Sequence, residues 1–148
     1  MRKYLYYLVL VLAVAAVYAY KNPSVDFEKE NPEGILFFKG SWEEAMAKAK
    51  KENKPIFLDI YATWCGPCKM LSKYTFSDKE VAAYYNQNFI NVSLDGEKGT
   101  GAFLANQYRI TGYPTLLFIK PNGQVKLKTT GYHNSKQFLK LGNQILSK

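Results

Sequence analysis

Only two cysteines occur in the 148 residues, Cys65 and Cys68, and only one histidine, His133. Two cysteines exclude a framework of structural disulfides; if they pair, they pair with each other. Zinc centres usually take about four ligands, and His133 is the one nitrogen left to join the pair, so no metal is expected. Acidic residues are missing from the C-terminal part that carries Lys120, Lys126, Lys128, Lys136, Lys140 and Lys148. No nucleic-acid motif accompanies these lysines, so the net charge of +8 reads as a solvated basic face and no nucleic-acid partner is expected. Close to a membrane, the same face would feel weak attraction to acidic headgroups. Internal repeats and low-complexity tracts are also absent.

What is present suits one domain with a sizeable core and a short extra segment. Hydrophobic residues make up 47% and charged residues 22%, with 12 Tyr and 9 Phe, which excludes disorder through most of the chain. Residues 1–20 open with Arg2 and Lys3 and then carry no charge as far as Tyr20. A basic start, an apolar middle and small residues near the end describe an export signal, with Val17-Tyr18-Ala19 allowing cleavage after Ala19. An uncleaved membrane anchor is the alternative, because the run sits at the short end of the roughly 17–25 residues that span a bilayer. In both cases the remainder lies outside the cytoplasm, periplasmic or anchored to the inner membrane. With no cysteine near the end of the run, lipid attachment there is excluded. Residues 21–34, with Pro23, Pro32 and Gly34, read as a linker, and residues 35–148 as the domain.

Within that domain strands alternate with helices. Ile35–Phe38 is a short strand candidate. Ser41-Trp42-Glu43-Glu44 is a capping box opening a helix to about Glu52, with Trp42, Ala45, Met46 and Ala49 on one face. Asn53-Lys54-Pro55 stops it. Ile56–Tyr61 is a strand apolar nearly throughout, as expected where both faces are covered, Asp59 being the exception. A helix-like pattern of Met70, Leu71 and Tyr74 follows the cysteines. Helix over 79–85, strand over 89–94, loop over 96–101 and helix over 102–108 come next. Strands over 115–119 and 124–128 flank an Asn122-Gly123 hairpin turn. An amphipathic helix over 135–146 closes the chain, with Phe138, Leu139, Leu141, Ile145 and Leu146 apolar. The pattern predicts an α/β fold with a central mixed sheet and helices on both faces.

A C-x-x-C where a strand ends and a helix begins is a redox dithiol signal. Cys65, at a helix N-terminus that favours thiolate over thiol, is the candidate attacking residue, placed where a substrate reaches it. Cys68, on the same face and one turn deeper, is placed to resolve a mixed disulfide from within. Pro67 fixes the first turn and withholds a donor, which limits stabilisation of the thiolate. Asp59, a lone carboxylate in an apolar strand, should have a raised pKa and serve as proton acceptor for Cys68. No cofactor beyond the Cys65–Cys68 disulfide is expected.

Trp64-Cys65-Gly66-Pro67-Cys68 resembles the active-site motif of the thioredoxin family, and Tyr113-Pro114-Thr115 resembles its cis-proline segment. Lys73-Tyr74-Thr75-Phe76-Ser77-Asp78 is similar, more narrowly, to the C-terminal thioredoxin-like domain of bacterial transmembrane thiol:disulfide interchange proteins and their small exported relatives. The resemblance spans about Ile35 to Leu146 and implies the thioredoxin fold. It implies that Pro114 is cis and packs on the dithiol, that the main chain of Tyr113 pairs with substrate, and that Trp64 shields the sulfurs. Gly131 resembles the small residue that admits substrate from the other side, and His133 is left as a loop residue. Gly66-Pro67 between the cysteines marks reducing members, so the implied activity is reduction of disulfides in protein substrates by a monomer fed by a membrane thiol transporter. An oxidase or isomerase of the same fold, or a tethered peptide-binding or chaperone module without turnover, are the alternatives. One departure stands out. The family usually places a lysine near the buried aspartate, and this chain aligns Asn91 there.

Overall fold

The computed structural model describes residues 2–21 and 31–147. Most of the linker expected over 21–34 therefore lies outside the described residues. The uncharged N-terminal run forms helix α1 (Arg2–Lys21), whose side chains from Lys3 to Val17 are exposed. Among the described residues no helix is long and apolar enough to cross a membrane.

The domain is built on β1 (Ile56–Tyr61), buried along its whole length. It pairs in parallel with β2 (Ile90–Asp95) and antiparallel with β3 (Thr115–Ile119), which pairs antiparallel with β4 (Val125–Thr130). The order β2-β1-β3-β4 puts the two all-buried strands at the centre and the solvent-facing β4 at one edge. Helices α2 (Trp42–Glu52) and α5 (Gly99–Gln107) cover one face over Ile56, Leu58 and Ile60. The other face, with Phe57, carries α4 (Lys79–Asn88), α6 (Ser135–Leu146) and the turns that follow the cysteines. This is the mixed sheet with helices on both faces that the alternation predicts.

Local signals set most boundaries. Ser41 Oγ accepts from the Glu44 amide at 3.2 Å while Glu44 Oε2 accepts from the Ser41 amide at 2.7 Å, closing the capping box on α2. Asn53 ends that helix in the left-handed region at φ 51°. Gly123, at φ 87°, completes the β3–β4 turn. Three expectations shift. The loop over 96–101 is shorter, because Gly99 takes φ 47° and starts α5 early. The helix after the cysteines, α3 (Gly66–Met70), widens into a π-helical turn over Leu71–Thr75, closed by Phe76 N–H donating to Leu71 O at 2.9 Å. The segment 35–38 forms no ladder. Its bonds scatter: Ile35 N–H donates to Phe76 O, Leu36 N–H to Asn86 Oδ1 and Phe38 N–H to Asn91 O. Between this segment and α2 a groove of about 420 Å³ stays open.

Packing on the α4/α6 face is aromatic. Phe57 meets Phe76, Tyr85 and Phe138 edge-on, and Tyr85 stacks on Phe138 with centroids 4.1 Å apart. Tyr85 Oη donates to Phe138 O at 2.7 Å, so the buried phenol keeps a partner. Gly142 lets α6 come this close: a Cβ there would lie 2.7 Å from Tyr84 Cε1 and 3.1 Å from Tyr85 Oη. Helix propensity alone favours Ala at this position by about 1 kcal/mol. Overpacking against a ring already locked between neighbours costs about 1–3 kcal/mol. Gly142→Ala is therefore expected to destabilise the protein by about 1 kcal/mol, lowering the urea midpoint without changing the slope; a raised midpoint would mean that the rings yield.

Candidate active site

Strand β1 delivers the chain to the site and α3 receives it. Cys65 is the N-cap of α3, its backbone extended at φ −72° and ψ 112°, and its sulfur accepts the Cys68 amide at 3.1 Å. Pro67 occupies the first turn, where its missing N–H leaves no broken bond. Cys65 and Cys68, with Cα atoms 5.3 Å apart, are joined as a disulfide. Both residues are only 2% exposed. The greater accessibility expected of Cys65 does not hold in this oxidised state, in which Tyr61, Ala62 and Tyr113 cover both sulfurs.

Pro114 is buried and follows a cis peptide bond from Tyr113, as the resemblance implies. Its carbonyl accepts the Gly131 amide at 2.8 Å. Gly131 adopts φ 103°, and a Cβ there would meet open space, so its need for glycine is conformational rather than steric. Thr115 secures the segment, its hydroxyl donating to Gly112 O at 2.7 Å. Trp64 is 67% exposed. It stands beside the disulfide, its ring edge-to-face with Tyr113 at 6.1 Å. Its indole N–H donates to both carboxylate oxygens of Glu97, at 3.0 and 3.1 Å. Burial, with Glu97 and then Asp95 nearby, pushes the Tyr113 phenol above its usual range. His133 bonds within its own loop, Nδ1 lying 3.0 Å from Gly131 O, and its carbonyl accepts the Thr75 hydroxyl.

Asp59 is 3% exposed. Alternation along β1 sets Phe57, Asp59 and Tyr61 on one face. Phe57 packs on Leu71 and Tyr61 packs on the cysteines, so Asp59 lies between them under the start of α3. Burial raises its pKa to about 7, opposed by a hydrogen bond from the Ser93 hydroxyl to Oδ2 at 2.9 Å. Oδ1 has no partner among the described residues. The β1–β2 register sets Ser93 opposite Asp59 and Asn91 opposite Phe57. Asn91 instead donates to Asn86 Oδ1 and Leu36 O. The neighbour of the carboxylate is thus Ser93 rather than Asn91, two residues along from the expected position.

Sequence reasoning brought together Cys65, Cys68, Trp64, Gly66, Pro67, Tyr113, Pro114 and Asp59, and the fold gathers them at one end of β1. It missed Ser93 and Glu97. Ser93 is reached only through the β1–β2 register, and nothing local marks Glu97 as the indole's acceptor. Among the described residues no group of His, Cys, Asp and Glu is arranged to hold a metal ion.

Comparison with known proteins fits this geometry. Residues 42–146 match the thioredoxin-like domain family. The thiol:disulfide interchange protein DsbD of Yersinia pestis is 34% identical over 94 residues, which is 62% of this chain and 16% of that protein. The chain thus spans about a sixth of the length of that curated relative. A solution structure of a candidate disulphide isomerase from Bacteroides thetaiotaomicron superposes with a TM-score of 0.68 at 40% identity, covering 80% of this chain and 99% of that one. The reduced DsbD C-terminal domain of Neisseria meningitidis gives a TM-score of 0.58 at 28% identity, covering 69% of this chain and 91% of that one. On fold, motif and match across most of its length, the chain belongs to the thioredoxin-like family.

Proposed function

We propose that the protein reduces disulfides in protein substrates outside the cytoplasm, using Cys65 and Cys68. The observation that carries this reading is a closed Cys65–Cys68 disulfide at the N-terminus of α3, together with the cis Pro114 and a buried carboxyl group on β1. In the reduced protein the Cys65 thiolate attacks a substrate disulfide, forming a mixed disulfide and releasing one substrate thiolate. Cys68 then gives its proton to the Asp59 carboxylate and attacks Cys65 sulfur. The Cys65–substrate bond breaks, Cys65–Cys68 forms, and the second substrate sulfur leaves as thiolate. Substrate gains two electrons and the couple loses two. Trp64, Gly66, Tyr113, Pro114 and Gly131 form the surface against which an extended substrate would lie. Pro67 and the lack of histidine between the cysteines support a reductant, with a potential closer to about −270 mV than to about −120 mV. The Bacteroides neighbour's description favours isomerase as the second reading.

The exposed apolar helix α1 supports export, as a signal cleaved after Ala19 or retained as a membrane attachment. Outside the cytoplasm the couple needs an electron source, and the DsbD resemblance supports a membrane thiol transporter. We take the working unit as a monomer.

Two kinds of outcome, kinetic and thermodynamic, test the site. In stopped-flow single turnovers, Asp59→Asn should slow resolution of the mixed disulfide about a hundredfold while leaving its formation unchanged; equal slowing of both steps rejects the assignment. Cys68→Ser should trap substrates covalently in the same assay. The second outcome concerns stability. Native Asp59 holds its proton up to about pH 7, whereas its ordinary value is 3.8. Between those values the native state binds more protons than the unfolded chain, so stability falls as pH rises and levels off above pH 7. The full loss is on the order of 4 kcal/mol from a shift of about three units. Urea unfolding of the oxidised protein from pH 4 to 9 should show this decline, and Asp59→Asn should flatten it.

A further inference from the structure

We propose that the Ser93 hydroxyl is the positioning and proton-exchange group for Asp59, holding Oδ2 so that Oδ1 is left for Cys68 and linking the buried carboxyl to solvent. This inference rests on the assignment of Asp59 as proton acceptor. Three features support it. The hydroxyl lies 2.9 Å from Oδ2. Ser93 is half-buried on β2, an edge strand of the sheet, so one side of it faces the carboxylate and the other approaches water. Oδ1 is buried and has no hydrogen-bond partner among the described residues, so it can take up a proton without breaking a bond.

The surroundings leave few other routes. Opposite Asp59 on β3 stands Leu116, and Phe57 and Tyr61 flank it on its own face of β1. From the covering turns come Cys65, Cys68, Leu71 and Thr75, all buried, and Thr75 donates to His133 O. Of these residues Tyr61 and the two cysteines are titratable, and the cysteines carry no proton while joined. Among the described residues, Ser93 is the side chain whose hydrogen bond opposes the effect of burial on the carboxyl.

The proton path balances. When Cys68 transfers its proton to Oδ1, Asp59 becomes a neutral acid and the new disulfide forms as described above. The protonated carboxyl then turns to present its O–H to Ser93 Oγ, and as Oγ accepts that proton the hydroxyl, turned away from Oδ2, releases its own to water. Asp59 returns to carboxylate, Ser93 is unchanged, and one proton has reached solvent. A lysine would supply a fixed positive charge here; a hydroxyl supplies a switchable donor and acceptor instead.

Ser93→Ala should remove a hydrogen bond that favours the charged form, so the pH midpoint of the resolution step should rise by about one unit. At pH 7 resolution should slow about fivefold, and it should recover at alkaline pH. Ser93→Thr, which keeps the hydroxyl, should restore both rate and midpoint. The measurement is single-turnover kinetics on the full chain with a disulfide peptide, followed by Trp64 fluorescence from pH 5.5 to 9, with a carbon-13 titration of Asp59 in each variant. An unchanged midpoint in Ser93→Ala, or no rescue by Ser93→Thr, overturns the proposal. Asp59→Asn separates the two levels: if it slows resolution and Ser93→Ala does not, only the role of Ser93 falls. If Asp59→Asn also leaves resolution unchanged, the base assignment itself is lost. Should Ser93→Ala fail to fold, the wild-type and Ser93→Thr titrations still decide, because an Asp59 that titrates near 4 in both removes the need for an exchange group.

Discussion

The amide of Cys68 pointing at the sulfur of Cys65 is the contact on which the rest of this structure depends. It exists because a strand ends where a helix begins, so the free donors of the first turn face the residue that caps it. Once the disulfide is reduced, the same donors are placed to stabilise negative charge on that sulfur. For the contact to keep its geometry β1 must be held in place, and both neighbours in the sheet pair along it while both of its faces are packed. The sheet thus serves as a mount for one turn of helix.

The carboxyl group under that turn works against the fold. A neutral apolar residue at position 59 would suit the cluster around Phe57 and Leu71 better, and the raised pKa of Asp59 expresses the same mismatch. Stability and proton transfer therefore draw on one group in opposite directions. The hydroxyl of Ser93 moderates the conflict by satisfying one oxygen only.

Features set by a few neighbouring residues were legible in the sequence. The capping box at Ser41 and Glu44, the stop at Asn53 and the turn at Gly123 each need only their immediate surroundings. The dithiol and the Tyr113–Pro114 segment were legible for another reason, since their residue types are rare in combination. What depends on register or on distant partners was not. Ser93 faces Asp59 because of how β2 slides along β1, a quantity that alternation of apolar residues fixes only to within two positions. Residues 35–38 look like a strand but spend their hydrogen bonds on Phe76, Asn86 and Asn91, far apart in sequence. The cover over Cys65 comes partly from Tyr113, also remote.

The lysines of the C-terminal half are more than a solvated surface. Lys126 Nζ donates to Ile145 O at 2.7 Å and to Ser147 O at 3.3 Å, and Lys128 Nζ donates to Tyr108 O at 3.1 Å. Two β4 side chains thereby fasten the carbonyl ends of α6 and α5, where positive charge is favoured. Amine-reactive dyes and fixatives would strip both fastenings at once, so a fluorescently tagged or aldehyde-treated preparation would report on a loosened chain. Attaching probes at an introduced surface thiol would compete with the couple itself, which leaves the polar tip of the β3–β4 turn as the safer place for a genetically encoded label.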